Sequence, residues 1–251
     1  MEAQTSAYGR EDSFKISRAG LVAGRFLLGV RTGGLTAQAV LDIARGIGMP
    51  ESFRAPFLAH LGDADVALFG IEDGKNGLVY KAYLEFWHQV RRQVVAGSRE
   101  PTLMNLGFKW SADDSSRNVV ARYTCYPMLD LAGVLRRIRA IYDGQAGPPS
   151  CGAALELVQV AARSNAAPIY LEVGEEGTAR RSYDINLYRA NLTLADIEPV
   201  LLQAAARYAL PQGRFAAFYS QLRKRLFGHL SGGFSRDGSD FLTVYYETQP
   251  L

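Results

Sequence analysis

Residues 77–86 read GLVYKAYLEF, in which Lys81, Tyr83 and Glu85 alternate with Tyr80, Ala82, Leu84 and Phe86. Successive side chains of an extended strand point to opposite faces, so the lysine, tyrosine and glutamate share one face and the apolar residues the other. Such a face carries usable chemistry. A lysine can hold an oxyanion, a tyrosine offers its π-face to a cation, and a carboxylate can take up a proton. Three further segments repeat the plan. Arg122, Thr124 and Tyr126 oppose Val119, Ala121, Tyr123 and Cys125; Ser182, Asp184, Asn186 and Tyr188 oppose Arg181, Tyr183, Ile185 and Leu187; Thr243, Tyr245 and Glu247 oppose Leu242, Val244 and Tyr246.

Each of these polar faces belongs to the second strand of a hairpin. The hairpins span 66–86 with the turn DGKNG, 104–126 with SADDSSRN, 168–189 with GEEGT, and 228–247 with SRDGS. A fifth lies at the N-terminus, where RAGL separates SFKIS from VAGRFLLGV. Alternating strands about short turns of this composition predict ten strands in five hairpins. Between them the period lengthens to about 3.6, the signature of amphipathic helices. These are LTAQAVLDIARGIG, the segment around FRAPFLAHLG, WHQVRRQVVAG, MLDLAGVLRRIRAIYDG, CGAALELVQVAARS after the breaker QAGPPS, LTLADIEPVLLQAAARYAL, and GRFAAFYSQLRKRLFG. Thr193, with Asp196 three residues on, is placed to cap the sixth.

Amphipathic helices need an apolar surface to cover, so they pack outside an antiparallel sheet whose polar faces point away from them. An open sheet would leave those faces in water. A closed barrel would gather them into a lumen, and ten strands leave room for a cavity, since eight already hold one small ligand. The expected fold is α+β, an antiparallel ten-stranded barrel of αββα repeats with the helices outside, forming one domain over residues 1–251.

The 251 residues, 48% hydrophobic and 21% charged, suffice for a substantial core. A net charge of +3 is well short of a nucleic-acid binder's clustered excess, and suits an anionic small molecule. The basic runs RRIR at 136–139 and RKR at 223–225 are expected on solvated helix faces. The opening MEAQTSAYGRED has no secretory pattern and no apolar run spans a bilayer, so a cytoplasmic protein without membrane contact is expected. Cys125 and Cys151 have no CxxC spacing and read as buried thiols. His60, His88 and His229 are scattered, and Asp113 with Asp114 is a lone turn pair, so no metal held by protein ligands is expected. Phosphate-loop, dinucleotide-fold and nucleophile-elbow motifs are absent.

A helix-clad antiparallel barrel of αββα repeats with Lys, Arg and Tyr lining its lumen resembles the ABBA-type prenyltransferases. KAY at 81–83 is similar to the KxY strand motif of the aromatic members, whose lysine binds the donor diphosphate and whose tyrosine shields the allyl cation. EDSFKISRAGLVAGRFLLGV, residues 11–30, resembles the opening hairpin of the cyanobactin peptide prenyltransferases, with Lys15, Ile16 and AGRFLL in matching register. That resemblance implies Glu11 as catalytic base and Arg25 as a diphosphate ligand. Together with it, the chemistry of ionising an allylic diphosphate nominates Arg25, Lys81 and Arg122 for the diphosphate, and Tyr83, Tyr188 and Tyr245 for the cation. Glu72, Glu85 and Glu247 rival Glu11 as base.

The implied activity is transfer of a dimethylallyl or other short isoprenyl group from its diphosphate to a side chain of a ribosomally made peptide, by a monomer, with Mg²⁺ carried in on the diphosphate. A small aromatic metabolite is the alternative acceptor, and a non-catalytic barrel binding a hydrophobic ligand or peptide is the alternative class.

Overall fold

The computed structural model describes residues 8–74, 77–143, 147–164 and 166–249. Lys75 and Asn76 of the DGKNG turn, and Gln145 and Ala146 of QAGPPS, lie outside the described residues, as do residues 1–7 of the opening segment.

The five hairpins form as the alternation predicts. They are β1 (Tyr8–Ser17) with β2 (Gly20–Arg31), β3 (Val66–Gly74) with β4 (Gly77–Glu85), β5 (Thr102–Trp110) with β6 (Val119–Cys125), β7 (Ile169–Glu175) with β8 (Arg181–Asn186), and β9 (Leu226–Phe234) with β10 (Asp240–Gln249). All neighbours are antiparallel, and β1 also pairs with β10, with Glu11 opposite Glu247 and Ser13 opposite Tyr245. The sheet therefore closes into a ten-stranded barrel.

Helices α1 (Ala37–Gly46) and α2 (Glu51–Leu61) follow the first hairpin, and α3 (Trp87–Val95) the second. After the third come α4 (Leu131–Ile141) and α5 (Pro149–Ala162), and after the fourth α6 (Glu198–Arg207) and α7 (Gln212–Ser220). Thr193 and Asp196 form a reciprocal capping box, which opens a 3-10 turn, Leu194–Ile197, leading into α6. Helix α7 ends sooner than the periodicity suggests. Residues 221–224 form turns and β9 begins at Leu226, so RKR joins helix to strand instead of lying on a helix face. RRIR does lie on α4.

The core lies between barrel and helices, in two parts. Phe14, Ile16, Ile185, Leu230 and Leu242 of the strands pack with Val134, Ile138, Leu157, Leu201 and Phe215 of the helices. Ala67, Phe69, Ala82, Leu84 and Phe108 pack with Val40, Leu41, Phe53 and Phe57. Burying each large side chain contributes about 1.5–3 kcal/mol. Cys125 and Cys151 are buried free thiols, and burial pushes the Cys125 thiol up to about 11, away from reactivity. Among the described residues no helix is long and apolar enough to cross a membrane.

With the outward set fixed by this core, the two-residue period turns the other set inward. Lys81, Tyr83 and Glu85 point into the lumen, as do Ser182, Asp184 and Asn186, and Thr243, Tyr245 and Glu247. Strand β6 is the exception to the sequence reading. Ala121 and Tyr123 face inward, packing with Tyr83 and Val173, whereas Arg122 is 51% exposed on the outside. The reason is local: the outer side of β6 and β7 is an open groove lined by Arg122, Thr124, Arg137 and Glu172. A polar residue costs nothing there, and Tyr123, read from sequence as apolar, carries its hydroxyl into the lumen.

Candidate active site

The lumen has two chemically distinct ends. Towards the hairpin turns it is cationic. Arg25 and Lys81 are 6% and 8% exposed, and both reach Glu72, Arg25 at 3.1 Å and Lys81 at 2.5 Å. Across the barrel Glu175 receives Lys109 and Arg180, each at 2.6 Å, and Arg236 at 3.1 Å. Lys15 adds a further charge close to Glu72, Arg25 and Arg180. The cations outnumber these two carboxylates. The Nε of Arg25 is moreover buried without a hydrogen-bond partner.

The energetics of this end are strained. Lys81 and Lys109 are direct cross-strand partners on β4 and β5, an arrangement in which like charges repel. Burial, opposed by Glu72 and reinforced by Arg25, pushes the Lys81 ammonium down to about 8. Burial and Arg180 push Lys109 down to about 7. Burial would raise the two carboxyls, but the adjoining cations win, holding Glu72 well below the carboxylate range and Glu175 at about 2.

Tyrosines form the middle of the lumen. Tyr83 and Tyr123 meet edge to face at 5.8 Å. Tyr83 lies against Gly107, its partner on β5, where a Cβ would stand only 2.5 Å from the ring. Tyr245 lies near the Arg25 guanidinium, which donates to Thr243 at 3.4 Å.

Towards the helices the lumen opens into a cavity of about 440 Å³. Glu11, Tyr83, Glu85, Tyr123, Asp184, Tyr188, Tyr245 and Glu247 line it. Glu11 accepts from Tyr188 at 2.8 Å and lies 3.0 Å from His229, both on Oε2. Burial would raise the Glu11 carboxyl, but the charge and hydrogen bond of His229, with the Tyr188 bond, hold it below the usual range. Glu85 accepts from the Trp87 indole at 2.8 Å. Its burial outweighs that bond and pushes it up to about 7.

Of the residues nominated from sequence, Glu11, Arg25, Lys81, Tyr83, Tyr188 and Tyr245 come together in this lumen, and Arg122 does not. Tyr188 lies just past β8 on a 3-10 turn, Tyr188–Ala190. Lys15, Lys109, Arg180, Tyr123 and His229 were not nominated. Lys109 and His229 lie on the first strands of their hairpins, outside the repeated polar faces of the second strands, and Arg180 precedes β8.

Mg²⁺ has no evident protein ligands here. Glu72 and Glu175 are both taken up by cations, and among the described residues no group of three His, Cys, Asp or Glu side chains could hold a metal.

No protein-family model and no curated protein matches the chain. Solved structures match it over nearly its whole length. AnaPT from Neosartorya fischeri aligns with 97% of this chain and 80% of its own, at 11% identity and a TM-score of 0.56. The NotF prenyltransferase in complex with brevianamide F and DMSPP aligns with 97% of this chain and 81% of its own, at 12% identity and 0.58. The 6-dimethylallyltryptophan synthase from Micromonospora olivasterospora, in complex with DMASPP and Trp, aligns with 95% of this chain and 81% of its own, at 13% identity and 0.57. With its strands closed, its helices outside and its polar residues within, the chain has the ABBA prenyltransferase barrel fold.

Proposed function

We propose that the protein is a prenyltransferase that moves a dimethylallyl group from its diphosphate to a nucleophilic acceptor held in the lumen. One observation carries this reading: Lys81 and Lys109 stand opposite each other beside buried Arg25 and partly buried Arg180, an excess of positive charge that a polyvalent anion would relieve. Diphosphate fits as a leaving group, because these fixed cations stabilise the negative charge that develops as the allylic C–O bond breaks. The carbocation left behind needs π-faces and no nucleophile, which Tyr83, Tyr123 and Tyr245 supply. The acceptor then bonds to the allylic carbon, the diphosphate keeps the electron pair of the broken bond, and the acceptor's proton passes to Glu11. The rival base Glu72 is held by Arg25 and Lys81.

A cavity of about 440 Å³ suits a small aromatic acceptor, in line with the brevianamide F and tryptophan bound in two of the solved neighbours. A peptide is the second reading, favoured by the resemblance of β1 and β2 to peptide prenyltransferases; a single side chain would then enter the cavity. Any Mg²⁺ carried in on the diphosphate would show as loss of activity in EDTA. The test is incubation with dimethylallyl diphosphate and, in separate reactions, L-tryptophan, tryptophan-containing cyclic dipeptides and a linear peptide library. A mass gain of one prenyl unit on an acceptor supports the proposal. No product with any of them, together with no binding of inorganic pyrophosphate, overturns it in favour of a ligand-binding barrel.

A further inference from the structure

The His229 imidazole is clamped between two carboxylates. Its Nε2 lies 3.0 Å from Glu11 Oε2, and its Nδ1 lies 2.9 Å and 3.0 Å from the two oxygens of Asp184. The ring of Tyr245 stacks on it, with centroids 3.9 Å apart and planes 6° from parallel. The position is therefore fixed in direction by two hydrogen bonds and in depth by the stack. Three strands and a turn contribute to it: β1 brings Glu11, β8 Asp184, β10 Tyr245, and the Tyr188 turn adds the second bond to Glu11 Oε2.

We infer that His229, oriented by Asp184, is a positioning residue for Glu11: with Tyr188 it occupies Oε2 and leaves Oε1 to the acceptor's proton. This rests on the reading of Glu11 as base in the proposed reaction. A carboxylate free to rotate would present either oxygen, and in an aromatic-lined cavity it would protonate readily. An imidazolium bonded at one oxygen prevents both. Burial opposes the charge on His229, but Asp184 and Glu11 prevail and keep the ring protonated well above the ordinary histidine range. Glu85 and Glu247 face the same site from β4 and β10, while Arg25 on β2 adds a more distant positive charge. Glu85 and Glu247 work against an ionised Glu11, so the imidazolium carries the greater part of the compensation.

Two measurements test the inference. In ¹⁵N NMR of the whole protein, the His229 ring should stay doubly protonated from pH 5 to 8, and Glu11→Gln should bring its titration down towards the ordinary range. With dimethylallyl diphosphate and whichever tryptophan-bearing acceptor is turned over, His229→Leu should lower kcat about 100-fold at neutral pH. It should also move the acid limb of the pH–rate profile upward, with pyrophosphate affinity unchanged. His229→Gln, which can still donate to Glu11 but carries no charge, should recover part of the rate and keep the shifted limb. A neutral His229 in the NMR experiment overturns the inference. So does a leucine variant whose acid limb stays in place, even if its rate falls. If the wild-type protein binds no pyrophosphate and prenylates nothing, the enzymatic reading fails instead, and the NMR result still reports on the clamp.

Discussion

Lys81 and Lys109 face each other across β4 and β5 as direct cross-strand partners inside the barrel. Two ammonium groups so placed share one answer to an incoming anion. Burial and the neighbouring cations lower both ammonium groups, Lys109 to about 7 and Lys81 to about 8, so the pair gives up protons far more readily than exposed lysines. A bound diphosphate favours the charged forms, so pyrophosphate binding should draw protons onto the lysine pair. Titration calorimetry in two buffers of different ionisation enthalpy measures this uptake. Lys109→Gln should show less of it than wild type, and equal uptake in the two proteins would remove the lysine pair from the donor site.

The inward and outward arginines should separate cleanly. Arg180→Ala removes a cation that borders the outer groove but reaches in to Glu175 at 2.6 Å, and pyrophosphate affinity should fall about 10- to 100-fold. Arg122→Ala removes a side chain from the outer groove and should leave that affinity unchanged. Circular dichroism melts confirm that both variants are folded.

Glu85 makes stability depend on pH in a direction opposite to the paired carboxylates. Its folded value of about 7 lies above the ordinary glutamate value of 4.5, so the folded state binds more protons than the unfolded chain between those pH values. Stability linked to this group is fully present below pH 4.5 and lost as the pH rises through 7. Glu85→Gln removes the linkage. Its Tm should exceed wild type by on the order of 2–6 °C at pH 8 and match it at pH 4. An equal shift at both values would assign the effect to packing.

Two strand glycines should fail differently when given a methyl group. At Gly70 a Cβ would stand 2.1 Å from the Phe26 carbonyl oxygen, a backbone atom that cannot move aside. Gly70→Ala should cost on the order of 2–3 kcal/mol in urea unfolding. At Gly107 the obstacle is the Tyr83 ring at 2.5 Å, a side chain that can swing into the lumen. Gly107→Ala should cost about 1 kcal/mol yet lower turnover by displacing the tyrosine. Equal stability losses would show that Tyr83 cannot yield.

Much of this architecture is legible in the sequence, because alternation and turns are local. GLVYKAYLEF shows both of its faces directly, and the strands bearing Asp184 and Tyr245 do the same. Strand β6 misled because Tyr123 and Arg122 were sorted by polarity, while the structure sorts them by what covers the outer wall. The pairing of β1 with β10 joins residues 10–17 to residues 241–249, a relationship no local pattern encodes. His229 was invisible for the same reason: its partners Glu11 and Asp184 are 218 and 45 residues away.

The same pairing governs when the site can exist during synthesis. Glu11 lies on the first strand, Tyr245 and the partner of Glu11, Glu247, on the last. As the chain leaves the ribosome, nine strands can hydrogen-bond in order, but the seam between β1 and β10 stays open and both edges bear unpaired backbone. The nascent chain therefore gains its enclosed lumen only with the tenth strand, and a stalled product shortened by one hairpin would lose the enclosure whole while keeping most of its secondary structure.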